Sequence, residues 1–155
     1  MNQGYRMQMV YGAREFEEST NALLITELRW RPDHFYGKPF QAVVRNIRIH
    51  LSTTGRSPGS LSPLFAENVG KDVLEVFRGR LEIHSTYEGP VSGPKNFDIS
   101  VPLTTPFLYI PGNGNLLVDI RNESGSPASL VAGQSVRGDG ASRVSGRMTS
   151  RYGAA

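Results

Sequence analysis

The chain has 155 residues with no cysteine, 17 glycines, 10 prolines and a formal net charge of +3. That length can bury the core of one domain unaided, and the absence of thiols excludes disulfides, thiolate metal sites and cysteine nucleophiles. Abundant Gly and Pro disfavour long helices and favour short strands joined by tight turns.

Residues 5–11 read as a strand with imperfect alternation, and 12–22 is the first place a short helix fits, with Glu15, Glu17 and Glu18 around Phe16. A strand over 23–31 contains Trp30 and runs into a turn at Pro32-Asp33 that carries His34, Phe35 and Tyr36. Residues 41–51 form the most legible strand: Val43, Ile47, Ile49 and Leu51 share one face, and Val44, Asn46, Arg48 and His50 the other. Arg45 is the exception on the inner face. After a Gly/Pro turn at 55–59, a second short helix fits 61–68.

Weaker strands follow at 73–77 and 80–84. A clear one spans 96–101, with Phe97, Ile99 and Val101 inward and Asp98 and Ser100 outward. Another weak strand, 107–110, precedes the turn Pro111-Gly112-Asn113-Gly114. In 115–122, Leu116, Val118 and Ile120 oppose Leu117, Asp119 and Arg121. Two more weak strands, 128–132 and 142–152, close the list.

This pattern predicts an all-β chain: a single-domain antiparallel β-sandwich of jelly-roll type, with about eight to ten strands over residues 1–155. Residues 133–155 read as a mobile or edge segment, Gly/Ser/Arg-rich up to 146. Arg137, Arg143, Arg147 and Arg151 against Asp139 account for the whole net charge. They are diluted by Gly and Ser and have few aromatics for base stacking, so no nucleic-acid partner is expected. No run approaches the ~20 apolar residues of a membrane span. Residues 1–11 also lack the basic start and apolar block of a signal peptide.

The segments at 5–11 (YRMQMVY), 46–54 (NIRIHLSTT), 64–70 (LFAENVG), 93–99 (GPKNFDI), 103–107 (LTTPF) and 115–122 (NLLVDIRN) resemble a group of bacterial exported domains. Members typically lie between a signal peptide and a short C-terminal sorting anchor of the PEP-CTERM kind. The resemblance implies a cell-surface or extracellular location and a domain type without an assigned activity, so no catalytic residues carry over. Neither leader nor anchor is recognisable in this chain.

Several constellations invite chemistry. Gly55-Arg56-Ser57-Pro58-Gly59 formally matches the G-x-S-x-G nucleophile elbow, but Pro58 has no N–H for an oxyanion hole and no helix pattern follows. His34, His50 and His84 lack the tight spacing of metal ligands. Asp98, Asp119 and Glu82 would serve glycoside hydrolysis only if their strands were neighbours around a cleft. Asp119 and Arg121 share a face, which points instead to a solvated or salt-bridged pair.

Calcium is the one cofactor with an opening, through scattered oxygens at 68–72 and 113–115. The sequon at Asn122 is of the sort chance supplies. Aromatic residues give the best binding hint. Tyr36, Trp30 and Tyr87 are the candidate ligand-binding residues, although Trp30, two residues after Leu28, fits the core better.

The leading expectation is a non-catalytic exported surface or matrix module. Its partners would be other surface proteins, or further copies joined through edge strands. A carbohydrate-binding domain taking polysaccharide is the alternative, and a carboxylate-based glycoside hydrolase ranks well below both.

Overall fold

A computed structural model describes residues 5–16, 22–35, 37–124 and, for the backbone alone, 149–151. The described chain is mostly β. Seven strands appear: β1 (Tyr5–Tyr11), β2 (Leu23–Trp30), β3 (Phe40–Thr54), β4 (Leu74–Ser85), β5 (Ile99–Tyr109), β6 (Asn115–Asn122) and β7 (Thr149–Arg151). The two places where a helix fits hold single 3₁₀ turns, Ala13–Phe16 and Phe65–Asn68, and a third turn spans Pro111–Asn113.

The strands form two antiparallel sheets, one of five strands in the order β4-β3-β6-β1-β7 and one pairing β2 with β5. They stack in a sandwich-like arrangement. Met9, Ile49, Leu51, Val76, Val118 and Ile120 of the larger sheet close one core with Val101, Phe107 and Tyr109 of the smaller. Burial raises the Tyr109 hydroxyl to about 12. That hydroxyl donates to the Gly114 carbonyl at 2.8 Å, which satisfies the one polar atom the ring carries inward.

Strand boundaries differ from the alternation in three informative ways. Residues 73–77 and 80–84 belong to one strand, β4, which continues through Gly79 at φ 131°. Gly79 tolerates that conformation because it has no Cβ, and it faces Ile47 where β3 bulges. The bulge inserts one residue between Val44 and Ile47. It therefore flips the alternation upstream: Val44, not Val43, is buried, and Arg45 is exposed rather than facing the core.

Likewise 96–101 and 107–110 are parts of one strand. β5 starts only at Ile99 and loses register with β2 between Pro102 and Phe107. Pro102 and Pro106 cannot donate to a ladder, so the intervening stretch leaves β2, and the Thr104 hydroxyl donates to the Val76 carbonyl of β4 at 2.9 Å. Phe97 falls outside the strand and is 53% exposed, against the inward position expected of it. The predicted strand 128–132 lies outside the described residues, as does all of 142–152 except β7.

Candidate functional site

The structure places the three candidate binding residues differently. Trp30 turns inward and packs against the core. Its indole hydrogen-bonds the Tyr11 hydroxyl, whose pKa burial raises and that hydrogen bond partly restores. Tyr36 lies outside the described residues. Tyr87 reaches the turn that carries it: the Tyr87 hydroxyl donates to the His34 carbonyl at 2.8 Å.

Tyr87 is also the one non-glycine among the described residues with a positive φ, 60°. Left-handed backbone disfavours a bulky side chain, and the surroundings hold it there. The Tyr87 N–H donates to Ser85 Oγ at 3.0 Å, and the Lys95 ammonium lies 4.7 Å from the ring centroid. Lys95 is itself buried and donates to the Pro90 carbonyl at 2.7 Å, closing the loop between β4 and β5. A Cβ at Gly37 would overlap both the Asp33 carbonyl and the Tyr87 ring, so only glycine lets the two loops meet.

Around this junction two rings face solvent. Phe35, 72% exposed, stacks on His34 with centroids 3.7 Å apart, and Phe97 lies under the Arg31 guanidinium at 4.4 Å. Asp98 fixes the base of the loop. Its Oδ2 accepts from Ser85 Oγ at 2.9 Å, the Thr86 N–H at 2.8 Å and the Thr86 hydroxyl at 3.1 Å.

A second cluster occupies the outer face of the five-stranded sheet. Gln8 and Asp119 sit directly opposite one another on β1 and β6, and both are buried. Asp119 accepts from Arg6 Nε at 2.9 Å and from Gln8 Nε2 at 3.0 Å. Gln8 also donates to the Phe65 carbonyl at 3.1 Å and accepts from Asn68 Nδ2 at 2.9 Å. Asn68 closes the circuit by accepting from the Ser62 N–H at 2.8 Å.

The network fastens the segment between β3 and β4 onto the sheet. Burial alone would raise the Asp119 pKa. Hydrogen bonds from Arg6 and Gln8, with the charges of Arg6 and Arg121, more than reverse that and hold the carboxyl below its usual range.

Known protein families, curated proteins and solved structures give no match to this chain.

The remaining candidates resolve one by one. Ser57 sits in a turn, its N–H donating to Ser60 Oγ at 2.9 Å, with no helix directly after it. Glu82 is exposed and ion-paired to Arg80 at 2.8 Å. It faces Val43 while Asp119 faces His50, and seven residues of strand put the two acids roughly 20 Å apart, beyond a shared glycosidase site. No group of three His, Asp or Glu side chains suited to a metal occurs among the described residues.

Two of the oxygens considered for calcium accept hydrogen bonds within the protein: Asp72 Oδ1 from the Thr53 N–H at 2.7 Å and Asn115 Oδ1 from the Ala13 N–H at 2.8 Å. Asn122 is buried, and its Oδ1 accepts from the Ser124 N–H at 3.0 Å. Sequence reasoning missed Gln8 and Lys95, single polar residues without a motif around them, and weighed Asn68 only as a source of calcium oxygens.

Proposed function

We propose that this chain is a non-catalytic structural or assembly module of an exported surface or matrix protein, working through the surfaces it presents. The observation that carries the reading is the small sheet. Among the described residues β2 and β5 pair in a ladder only with each other; β5 also lies against β4 through the Thr104 hydroxyl, so the open edge is that of β2. Two strands alone are marginal, and open edges are templates for pairing with another chain. Leu24 and Leu108 pair across this sheet on its outer face at 62% and 59% exposure, so an incoming chain would also gain apolar contact.

The jelly-roll form, with eight to ten strands in one chain, is a separate proposal, and each further strand of this chain on the smaller sheet would leave one edge fewer for a partner. The exported location rests on the resemblance of the six segments to PEP-CTERM-type surface domains.

Sedimentation at increasing protein concentration tests the module. The mass should grow, and Leu24→Glu with Leu108→Glu should return it to a monomer. A monomer at every concentration would refute self-association.

A second reading, carbohydrate binding, is favoured by the loop junction, where the Tyr87 hydroxyl meets the His34 carbonyl and the next residue, Phe35, stands exposed. Aromatic faces beside fixed polar groups suit sugar rings. A glycan array run with and without a calcium chelator tests it. Binding that is lost in Tyr87→Ala and Tyr36→Ala supports it, the two arms separate calcium-dependent from direct stacking, and an empty array refutes it.

A further inference from the structure

The corner that joins the two sheets holds the chain's single Asn-Gly pair, Asn113-Gly114, between β5 of the smaller sheet and β6 of the larger. Every other asparagine precedes a residue whose side chain shields the next backbone nitrogen, whereas Gly114 has no side chain. Asn113 is exposed, and its side-chain amide makes no hydrogen bond among the described residues. The turn grips the pair unevenly. The Asn113 N–H donates to the Ile110 carbonyl at 2.9 Å, but the Gly114 N–H reaches the Pro111 carbonyl only at 3.3 Å, longer than an ordinary N–H···O bond.

Beyond that nitrogen the chain is closely fixed. The Gly114 carbonyl accepts from the Tyr109 hydroxyl at 2.8 Å, and a Cβ on Gly114 would stand 2.8 Å from the Thr54 carbonyl oxygen. Asn115, next along, accepts from the Ala13 N–H and donates to the Arg56 carbonyl, both at 2.8 Å. Tyr109 is fully buried, with the Phe16 ring edge-on to it at 5.1 Å. An exposed, reactive pair therefore abuts a corner without slack.

We propose that Asn113 is a site of spontaneous covalent modification to isoaspartate, and that the atom this adds to the backbone loosens the corner between the sheets. The Gly114 nitrogen attacks Asn113 Cγ. The new N–C bond closes a succinimide as the Cγ–Nδ2 bond breaks, and Nδ2 leaves as ammonia with the proton from the Gly114 nitrogen. Water then opens the ring. Addition at Cγ restores the original peptide link with aspartate at 113. Addition at the Asn113 backbone carbonyl carbon breaks that link and routes the chain through Cβ and Cγ. Nothing is oxidised or reduced, and water is the sole co-reactant.

The second product lengthens the chain where Gly114 already lies against Thr54. Gly114 must shift, and the buried Tyr109 hydroxyl then loses its acceptor, which is costly. The site is independent of edge-strand assembly and of sugar binding, and either can fail without it.

The test is peptide-resolved mass spectrometry of the full chain after incubation at mildly alkaline pH. Asn113 should gain the mass of an amide-to-acid exchange several-fold faster than any other asparagine, and electron-transfer fragmentation should find isoaspartate there. The modified fraction should melt about 2 to 4 °C lower, the shift expected from losing one buried hydrogen bond in a chain of this size. Asn113→Gln, which would have to close a larger ring, should show neither change.

Asn113→Asp brings the charge without the extra backbone atom and should melt with the fresh parent. The proposal is overturned if Asn113 stays intact while a free peptide spanning 109–118 deamidates, or if another asparagine reacts first. It is also overturned if isoaspartate at 113 leaves the melting temperature unchanged, or if Asn113→Asp melts as low as the aged fraction.

Discussion

The two faces of β6 are built from alternate residues of one eight-residue strand, and both are buried by different means. Inward, Leu116, Val118 and Ile120 meet Tyr11, Met9 and Met7 of β1 and the Leu51 and Ile49 rows of β3. That face is held by apolar area, which is non-directional and insensitive to pH. Outward, Leu117 is buried between Val10 and Ser52 of the neighbouring strands, but Asp119 and Arg121 depend on specific partners, and losing one strands the others away from water. The same strand therefore carries a tolerant side and an exacting one.

The largest effect expected from breaking this contrast is on the inner side. Leu51→Ala removes a fully buried side chain from the core and should cost about 3 kcal/mol in denaturant-unfolding stability, equally at neutral and mildly acidic pH. Asp119→Ala should cost nearly as much, about 2 to 3 kcal/mol, although it removes fewer apolar contacts. Arg6 and Gln8 would lose their acceptor.

The same variant should also flatten the acid limb of the stability curve. A carboxyl with a lowered folded pKa contributes fully above its unfolded value of 3.8 and loses that contribution as pH falls through the lower folded value.

His50 adds a smaller effect at higher pH. Desolvation first, then the charges of Arg121 and Arg48, lower its pKa against the opposing pull of Asp119 and Glu75. The folded protein therefore resists protonating it. Stability should be full above the ordinary value of 6.5 and decline as pH drops below it, a step that His50→Gln should remove. The smallest effect is expected for Arg78→Gln, within about 0.5 kcal/mol of the parent, because its side chain is mostly exposed and Glu75 is 4.0 Å away.

Much of the inner side was legible because period-two alternation reports one buried face. Leu116, Val118 and Ile120 were placed correctly on those grounds, as were Ile47, Ile49 and Leu51. The alternation failed where the backbone changed phase: at the β3 bulge, which exchanges Val43 for Val44, and before β5, where Phe97 lies outside the ladder. It also failed to show that the outward side of β6 is dry, since a covering segment leaves no periodic trace in the strand it covers.

The alignment of Arg78, Arg48, Arg121 and Arg6 opposite one another on β4, β3, β6 and β1 was invisible for another reason. Arg6, Arg48, Arg78 and Arg121 are visible singly, but only inter-strand register aligns them, and register is a property of pairs. Of the aromatic loop end, the sequence indicated Tyr87 and the Tyr36 turn, whereas their meeting depends on Gly37 and the Lys95 loop closure.

The claim that the outer face of β6 is a closed ionic layer is tested most directly by following the Asp119 carboxyl carbon through an NMR pH titration. It should remain ionised below the ordinary aspartate value of 3.8, and that depression should shrink in Arg6→Gln. An Asp119 that titrates at or above 3.8 in the parent protein would mean a face without these partners, and would contradict the account.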